Sequence, residues 1–237
     1  MSRPPLVLLH GWGLHPVVWT PLIEALEGRF QIHAPPLPGH GGAPEAGDAL
    51  DDWVEALLAD APPRAPWVGW SLGGLVALRA RRLAPERVSA FIGLATTPCF
   101  TRRPDWPRAM DGSLLARFAA QLEEERAATL ERFLALQFHG VAGGRQLLRR
   151  LRRWLDEQPP PRPRALRQGL ALLRDTDLRP VTEASCWLFG ALDRLVPPDL
   201  PLAPPARRRV IAGAGHAPFL SHPATVARHL LEALRHD

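Results

Sequence analysis

The chain has 237 residues, of which 46% are hydrophobic and 22% are charged. These fractions are typical of a globular protein and exclude a disordered or fibrous one. The two cysteines, Cys99 and Cys186, lie outside any CxxC or Cys/His spacing, which excludes a disulfide scaffold and a zinc ribbon and fits a reducing compartment. The N-terminal apolar run at 6–9 is too short for a signal peptide, and nothing later is long enough to cross a membrane. We therefore expect a soluble, cytoplasmic protein.

The basic charge is concentrated in one internal segment. All 29 basic residues are arginine, and the formal net charge is +5. Residues 101–180 contain 16 arginines and 10 acidic residues, whereas the rest of the chain contains 13 arginines and 14 acidic residues. A coding bias toward arginine is one explanation of the high arginine content, but its uneven distribution suggests a local partner.

Apolar runs alternate with amphipathic stretches through the first hundred residues. Strands are predicted at 6–10, 31–34, 67–70 and 89–94, with helical patterns between them at 19–26, 53–58 and 72–83. The alternation returns with predicted strands at 184–189 and 209–212 and a final helix at 225–235. This order of elements indicates a parallel sheet covered by helices on both faces.

Residues 113–174 contain helical patterns only. An all-helical insertion of this kind is typical of a cap over the carboxyl ends of the strands, where ligands bind in such sheets. The sequence therefore predicts a core in two parts, 1–100 and 181–237, with a helical cap at 101–180.

The segment Gly69-Trp70-Ser71-Leu72-Gly73 lies between a predicted strand and a predicted helix, which is the context of a nucleophile elbow. A serine on such a sharp turn has a strained backbone, and the glycines two residues before and after it avoid steric clashes. The following helix N-terminus offers N–H groups and a partial positive charge to an anion. We predict Ser71 as a nucleophile; a plain glycine-rich turn is the alternative.

The segment His10-Gly11-Trp12-Gly13 follows the first predicted strand. An acyl-transfer enzyme stabilises its tetrahedral oxyanion with two N–H donors. We expect one donor from Leu72, directly after the nucleophile, and the other from Trp12. His10 is expected to support this loop, and a strand-ending turn without a catalytic role is the alternative.

A serine nucleophile needs an imidazole within hydrogen-bond reach. His216 lies in a glycine-flanked loop directly after the last predicted strand, at the edge where the nucleophile is expected. His222 and His229 lie in or beside the final helix and are expected at the surface. We therefore predict His216 as the general base.

The carboxylate that orients the imidazole is expected between the serine and the histidine in chain order. Asp193 follows the predicted strand that ends near residue 190, at the same edge. The other carboxylates fit less well, because three precede that strand and one lies beyond two prolines: Asp175, Asp177, Glu183 and Asp199. We predict Asp193 as the third member of the triad, with an exposed loop carboxylate as the alternative.

These motifs together are typical of the α/β-hydrolase fold. A narrower resemblance is carried by six segments, at 6–14, 67–76, 85–88, 98–100, 131–137 and 215–223. They closely resemble the pimeloyl-[acyl-carrier protein] methyl ester esterases of biotin synthesis, nearly from end to end and including the cap. This resemblance is more specific than a catalytic triad, which many activities share.

The resemblance implies a serine carboxylesterase that removes the methyl group of pimeloyl-[acyl-carrier protein] methyl ester without a metal or organic cofactor. Ser71, Asp193 and His216 match the triad, and Trp12 and Leu72 match the oxyanion and substrate contacts. Further matches lie in the cap: Phe133, Leu134, Ala135, Leu136 and Gln137 in the acyl channel, and Arg132, Arg145 and Arg149 at the carrier-protein contact.

A helix over 144–155 would have an apolar face, with Leu147, Leu148, Leu151, Trp154 and Leu155, and a basic one, with Arg145, Arg149, Arg152 and Arg153. The basic face is either an ordinary solvated surface or a docking surface for an acidic carrier protein. Nucleic acid is disfavoured as a partner because no binding motif and no interleaved aromatic residues accompany the charge. No membrane partner is expected, and the protein is expected to be a monomer.

The sequence departs from the family at three points. Its first strand leads directly into the oxyanion loop without the N-terminal hairpin usual in the fold, Pro36 replaces a usual Asp, and Ala128 occupies a usually basic cap position. Two other functions remain open. One is a general short-chain carboxylesterase, and the other is a non-catalytic hydrolase-like ligand-binding protein, which the filled triad positions disfavour.

Overall fold

A computed structural model describes residues 2–183, 185–202 and 204–235. One sheet has the strand order β2-β1-β3-β4-β5-β6, and each neighbouring pair is parallel. Its strands are β1 (Pro5–Leu9), β2 (Gln31–His33), β3 (Ala65–Trp70), β4 (Val88–Leu94), β5 (Ser185–Gly190) and β6 (Ala206–Ile211). The predicted α/β fold with a mostly parallel central sheet is confirmed. Residue 184, the predicted first residue of β5, lies outside the described residues.

Helices lie around this sheet. A 3₁₀ turn (Pro16–Trp19) precedes α1 (Thr20–Ala25), and the helices that follow in the chain are α2 (Leu50–Asp60), α3 (Leu72–Leu83), α4 (Gly112–Glu124), α5 (Arg126–Leu136), α6 (Gly144–Asp156), α7 (Pro163–Asp175), α8 (Pro218–Ser221) and α9 (Pro223–Leu234). No helix in the described ranges has both the length and the apolar character that crossing a membrane requires.

The hydrophobic core forms on both faces of the sheet because side chains alternate along each strand. Val7 and Leu9 of β1 join a first core cluster with α2 and α3, whereas Leu6 and Leu8 join a second cluster with α1 and α9. The prediction of helices on both faces is confirmed.

Strand β6 is longer than its predicted extent of 209–212, since it spans Ala206–Ile211. Its first half contains three consecutive arginines, at 207–209, so a pattern of apolar residues does not indicate a strand there. The arginines are tolerated there because β6 is at the edge of the sheet and pairs with β5 on one side only among the described strands. The final helix also begins earlier than predicted, at Pro223, since proline is favoured in the first turn of a helix.

Helices α4–α7, which we call the cap helices, lie between β4 and β5 in the chain. α4 packs against α5 and α7, and α7 also contacts α3 of the core. α6 contacts the 3₁₀ turn and α8 instead, so it packs on the second core cluster. The cap helices therefore contact elements that follow β1, β3 and β6: the 3₁₀ turn, α3 and α8.

Candidate active site

Ser71 lies on the turn between β3 and α3 with φ 54° and ψ −120°, a backbone conformation that non-glycine residues rarely adopt. Two hydrogen bonds hold this turn. The Ser71 N–H donates to the Leu94 carbonyl at 3.1 Å, and the Thr96 hydroxyl donates to the Ser71 carbonyl at 2.7 Å. The predicted strained elbow is therefore present, and its strain is compensated by the neighbouring β4 and the loop after it.

Glycines around the elbow allow three backbone segments to approach closely. A Cβ at Gly69 would clash with the Gly73 carbonyl, and a Cβ at Gly73 would clash with the His10 carbonyl of the oxyanion loop. These are the two glycines that the sequence predicted to avoid clashes. The structure adds Gly74, where a Cβ would lie 2.5 Å from the Thr96 side chain. That contact joins α3 to the loop after β4, so the local motif could not reveal it.

His216 lies in the loop after β6, and its Nδ1 is 2.8 Å from Asp193 Oδ2, with both side chains buried. The other carboxylate oxygen of Asp193 accepts the N–H groups of Leu195 at 2.8 Å and Val196 at 3.0 Å. Because the carboxylate accepts from Nδ1, the neutral imidazole carries its proton on Nδ1 and a lone pair on Nε2. Nε2 is buried and makes no hydrogen bond to any residue that the structure describes.

The residue before the nucleophile fixes the histidine loop. The Trp70 indole N–H donates to the His216 carbonyl at 2.7 Å, and the two rings are 5.8 Å apart. The histidine loop also approaches the end of β5 closely at Gly190, where a Cβ would clash with the Gly215 carbonyl. Ser71 and His216 therefore stand on backbone segments joined by a direct hydrogen bond. Sequence reasoning placed Trp70 in a strand but did not identify this contact, for which the sequence offers no signal.

The two predicted oxyanion residues lie on segments adjacent to Ser71. Leu72 is the first residue of α3, where an N–H group has no helical carbonyl to bond. Trp12 follows β1, and the neighbouring Gly11 approaches so closely that a Cβ there would lie 3.4 Å from the Ser71 Cβ. Leu72 therefore follows Ser71 directly in the chain, and the residue before Trp12 lies against Ser71.

The Trp12 side chain is fixed by the cap helices. Its indole N–H donates to the Leu166 carbonyl of α7 at 2.8 Å, and its ring packs edge-to-face on Phe133 of α5 at a centroid distance of 4.9 Å. A Cβ at Gly169 of α7 would lie 2.6 Å from Trp12 and 3.0 Å from the Leu72 side chain. Gly169 was not predicted, although it touches the side chains of both predicted oxyanion residues.

Two of the five predicted channel residues, which lie at the end of α5 and directly after it, reach this site. Phe133 contacts Trp12, and the carbonyl of buried Gln137 accepts the His216 N–H at 3.2 Å. Successive residues of a helix point about 100° apart, so a run of five cannot line one channel. The others are placed as follows: Leu134 in the second core cluster, Leu136 half-buried against the first, and Ala135 exposed.

The predicted carrier-protein contacts differ in their surroundings. Arg145 and Arg149 are exposed on α6 and form no ion pair with a described residue, whereas Arg132 pairs with Glu125 at 3.2 Å. The apolar face of α6 packs inward with Leu151 fully buried, as predicted. Among the other arginines of α6, Arg152 pairs with Glu131, Arg150 stacks on Trp154 at 4.4 Å, and Arg153 is exposed.

Ser71 and His216 are closed off from solvent. Ser71 is 4% exposed and His216 is 1% exposed, and the Gln137 carbonyl at the end of α5 contacts the His216 backbone. Exclusion of water strengthens every electrostatic interaction in such a site. A buried serine, an oriented imidazole and two candidate N–H donors can together perform acyl transfer.

Comparison with known proteins agrees with this geometry. A family model described as "Alpha/beta hydrolase family" matches residues 6–229, and the chain belongs to this family. It is 45% identical to the pimeloyl-[acyl-carrier protein] methyl ester esterase of Edwardsiella ictaluri, covering 98% of this chain and 93% of that protein. A protein of the same name from Xanthomonas oryzae pv. oryzae is also 45% identical, covering 96% of this chain and 93% of that protein.

Solved structures show the same fold at lower sequence identity. An esterase from Exiguobacterium antarcticum superposes with a TM-score of 0.86 over 99% of this chain and 92% of that chain, at 20% identity. A bromoperoxidase from Bacillus anthracis gives a TM-score of 0.83 over 99% and 92%, at 19% identity. At this identity the likeness shows the fold alone, whereas the two relatives above confirm the narrower resemblance seen in the sequence.

Proposed function

We propose that this protein is a serine carboxylesterase that hydrolyses the methyl ester of pimeloyl-[acyl-carrier protein] in biotin biosynthesis. The observation that carries the proposal is the hydrogen bond from His216 to Asp193. It leaves Nε2 buried and without a hydrogen-bond partner among the described residues, in the loop bonded to the residue before Ser71. The names of the relatives at 45% identity support the choice of ester.

In the first half of the reaction, the Ser71 hydroxyl attacks the carbonyl carbon of the methyl ester while His216 Nε2 takes the hydroxyl proton. Asp193 stabilises the imidazolium through Nδ1. The backbone N–H groups of Trp12 and Leu72 donate to the oxyanion of the tetrahedral intermediate. The intermediate collapses as His216 returns the proton to the departing methoxide, so methanol leaves and the acyl group remains on Ser71.

In the second half, His216 takes a proton from water and the hydroxide formed attacks the acyl carbonyl. The same two N–H groups hold the second oxyanion. Collapse breaks the bond to Ser71, whose oxygen recovers the proton from His216. The product is a free carboxylate on the pimeloyl chain, still joined to its carrier.

The surroundings of the site support an apolar acyl chain. Trp12, Leu72 and Phe133 are buried and belong to one core cluster beside the nucleophile. The carrier protein lies at the other end of the acyl chain, and we propose that Arg145 and Arg149 attract its acidic surface. Ala128 removes one basic position from this contact, and the Glu125 pair of Arg132 competes with a carrier for that side chain.

We further propose that residues 101–180 act as a cap domain, because helices α5 and α7 contact Trp12 and the His216 backbone. The cytoplasm is the proposed location, since two separate cysteines fit a reducing compartment. The chemistry above requires no metal or organic cofactor, and one chain supplies every proposed residue, which supports a monomer as the active unit.

Hydrolysis of p-nitrophenyl butyrate by the purified protein tests the esterase activity. Ser71→Ala is expected to lower kcat about 10⁴-fold or more, because the covalent intermediate cannot form. Ser113→Ala, at an exposed serine of α4, is the matched control and is expected to match the unsubstituted protein. Equal turnover by Ser71→Ala would refute the serine mechanism, and absence of turnover in the unsubstituted protein would favour a ligand-binding protein.

The substrate needs a separate experiment. Expression in a biotin auxotroph that lacks its methyl esterase should restore growth without biotin, and the Ser71→Ala variant should not. In vitro, methanol release should be faster from pimeloyl-[acyl-carrier protein] methyl ester than from the free dimethyl ester of pimelic acid at equal concentration. Failure of both, by a protein with Ser71-dependent activity on p-nitrophenyl butyrate, would favour a general short-chain carboxylesterase.

A further inference from the structure

The peptide groups on both sides of Trp12 are each held by a buried histidine. His10 Nδ1 is 2.8 Å from the Gly11 carbonyl oxygen, and the Gly13 N–H donates to His40 Nε2 at 3.2 Å. The Gly11 carbonyl belongs to the same planar, trans peptide group as the Trp12 N–H. The Trp12 N–H points in the direction opposite to this oxygen. A hydrogen bond that fixes the oxygen therefore also fixes the direction of the N–H.

The other nitrogen of each ring defines which tautomer is present. The Leu37 N–H donates to His10 Nε2 at 3.0 Å, so the His10 proton lies on Nδ1 and is donated to Gly11. His40 Nδ1 is 3.0 Å from the Pro38 carbonyl, so its proton also lies on Nδ1 and Nε2 is free to accept. Both rings are fully buried, with their centroids 5.4 Å apart.

The loop around Trp12 depends on such external support. Glycines flank Trp12 on both sides, and Gly13 has φ +70°, a conformation outside the usual range of other residues. His40 comes from a different loop, so its bond to Gly13 joins two chain segments. Without these bonds, the flanking glycines would let both peptide groups rotate.

We propose that His10 and His40 are positioning residues that aim the Trp12 N–H at the oxyanion formed during ester hydrolysis. This inference rests on the proposed function, because it needs Trp12 as an oxyanion donor. A donor contributes to catalysis only when it is oriented before the charge develops. The bond from His10 to the Gly11 carbonyl also polarises the shared peptide group and strengthens its N–H as a donor.

The two histidines make opposite demands on a replacement side chain. An asparagine has its polar atoms near the position of Nδ1, and a glutamine reaches the position of Nε2. At His10 the essential bond is made by Nδ1, so His10→Asn should retain it and His10→Gln should lose it. At His40 the essential bond is made by Nε2, so His40→Gln should retain it and His40→Asn should lose it.

The four variants are compared by kcat and KM for p-nitrophenyl butyrate. We expect His10→Gln and His40→Asn to lower kcat about 10- to 100-fold, since loss of one oxyanion donor costs about 10²- to 10³-fold and a misdirected donor costs less. His10→Asn and His40→Gln should stay within about threefold of the unsubstituted protein, and KM should change little in all four. His139→Asn, at an exposed histidine after α5, is the control.

A purely structural role for the rings predicts a different result. The kcat values would then follow the free energy of unfolding, and the same amide, asparagine or glutamine, would give the more active variant at both positions. The inference would be overturned if the same amide gave the higher kcat at both positions, or if the asparagine and glutamine variants had equal kcat values at each position. If one pair does not fold, the order within the other pair decides. Ser71→Ala in the same assay separates the two hypotheses, because its retention of activity would refute the proposed function instead.

Discussion

The loops at the carboxyl edge of the sheet and the outer face of α6 are built in opposite ways. Around Ser71 and His216, glycines allow backbone contacts, the side chains are buried, and hydrogen bonds fix the loops to one another. On α6, Arg145 and Arg149 extend into solvent and form no ion pair with a described residue. Bond-breaking chemistry needs a fixed geometry, whereas attraction of an acidic partner works through mobile side chains in water.

The contrast leads to different expectations for the two regions. Changes at the sheet edge should affect every ester, because they act on the reaction itself. Changes on α6 should affect only a substrate carried by a protein, and salt should weaken their effect.

The largest effect is expected at the triad carboxylate. In Asp193→Asn, the amide oxygen can still accept from Leu195 and Val196, which leaves the NH₂ group facing His216 Nδ1. The imidazole must then carry its proton on Nε2, where it cannot take the proton of Ser71. We expect kcat to fall about 10⁴-fold on both free and carrier-bound esters.

Asp199→Asn is the matched control, since Asp199 is exposed and pairs with Arg108 at the surface. It should change kcat less than about twofold, because surface ion pairs contribute little. A loss below about tenfold in folded Asp193→Asn would contradict the fixed-geometry view of this edge.

The second prediction concerns stability against pH. Burial lowers the pKa of His40 from 6.5 to about 4, and burial also lowers the pKa of His10. The unfolded chain therefore binds protons below pH 6.5 that the folded protein does not. The contribution of these histidines to stability should be constant above about pH 6.5 and fall as the pH drops toward 4, by about 3 kcal/mol for His40 alone.

Urea denaturation at pH 7.5 and at pH 4.5 measures this loss. His40→Gln lacks the titrating group, so its free energy of unfolding should fall less between the two pH values than that of the unsubstituted protein. Equal losses in the two proteins would show that His40 is protonated in the folded state or is not buried.

The placement of the proposed catalytic residues at one edge of the sheet could be predicted largely from the sequence because their motifs are local. Ser71 and His216 stand in short glycine-rich motifs after predicted strands, and parallel strands bring such segments to one edge. The Trp70 bond to the His216 carbonyl joins residues far apart in the chain, so no motif contains it. Gly169 escaped prediction for the same reason, since a glycine within a helix shows its purpose only beside Trp12.

The cap was predicted less completely. Its helical character and the two faces of α6 follow from periodicity, which is a property of each helix alone. The resemblance supplied residues 133–137 as one continuous channel segment, but a helix divides such a run among different directions. Exposed Ala135 and buried Phe133 illustrate this division. Packing between helices from distant parts of the chain decides which of these residues reach the nucleophile.

A third prediction tests whether the cap takes part in the fixed geometry. In Gly169→Ala, the new Cβ would lie 2.6 Å from Trp12 and 3.0 Å from Leu72, so both side chains must move. We expect kcat/KM to fall about tenfold for every ester, because a small misplacement of the oxyanion loop slows the reaction. Both free and carrier-bound esters should be measured.

Gly112→Ala, at the start of α4, is the control because its nearest neighbour atom would be 3.7 Å away. Alanine is favoured over glycine in helices, so this variant should be no less stable than the unsubstituted protein. Full activity in Gly169→Ala would mean that the cap covers the oxyanion loop without positioning it.

The smallest effect is expected on α6, and it should depend on the substrate. Arg145→Glu combined with Arg149→Glu should lower kcat/KM for the carrier-bound ester about tenfold at low salt, while p-nitrophenyl butyrate is hydrolysed at an unchanged rate. Arg29→Glu combined with Arg228→Glu makes the same change in net charge at exposed positions outside the cap helices, and should have little effect on either ester. Added salt should narrow the difference between the two double variants, because screening weakens attraction between exposed charges. If the α6 variant slowed hydrolysis of the free ester equally, these arginines would stabilise the cap instead of attracting a carrier protein. The outer face of α6 would then serve fixed geometry, as the sheet edge does.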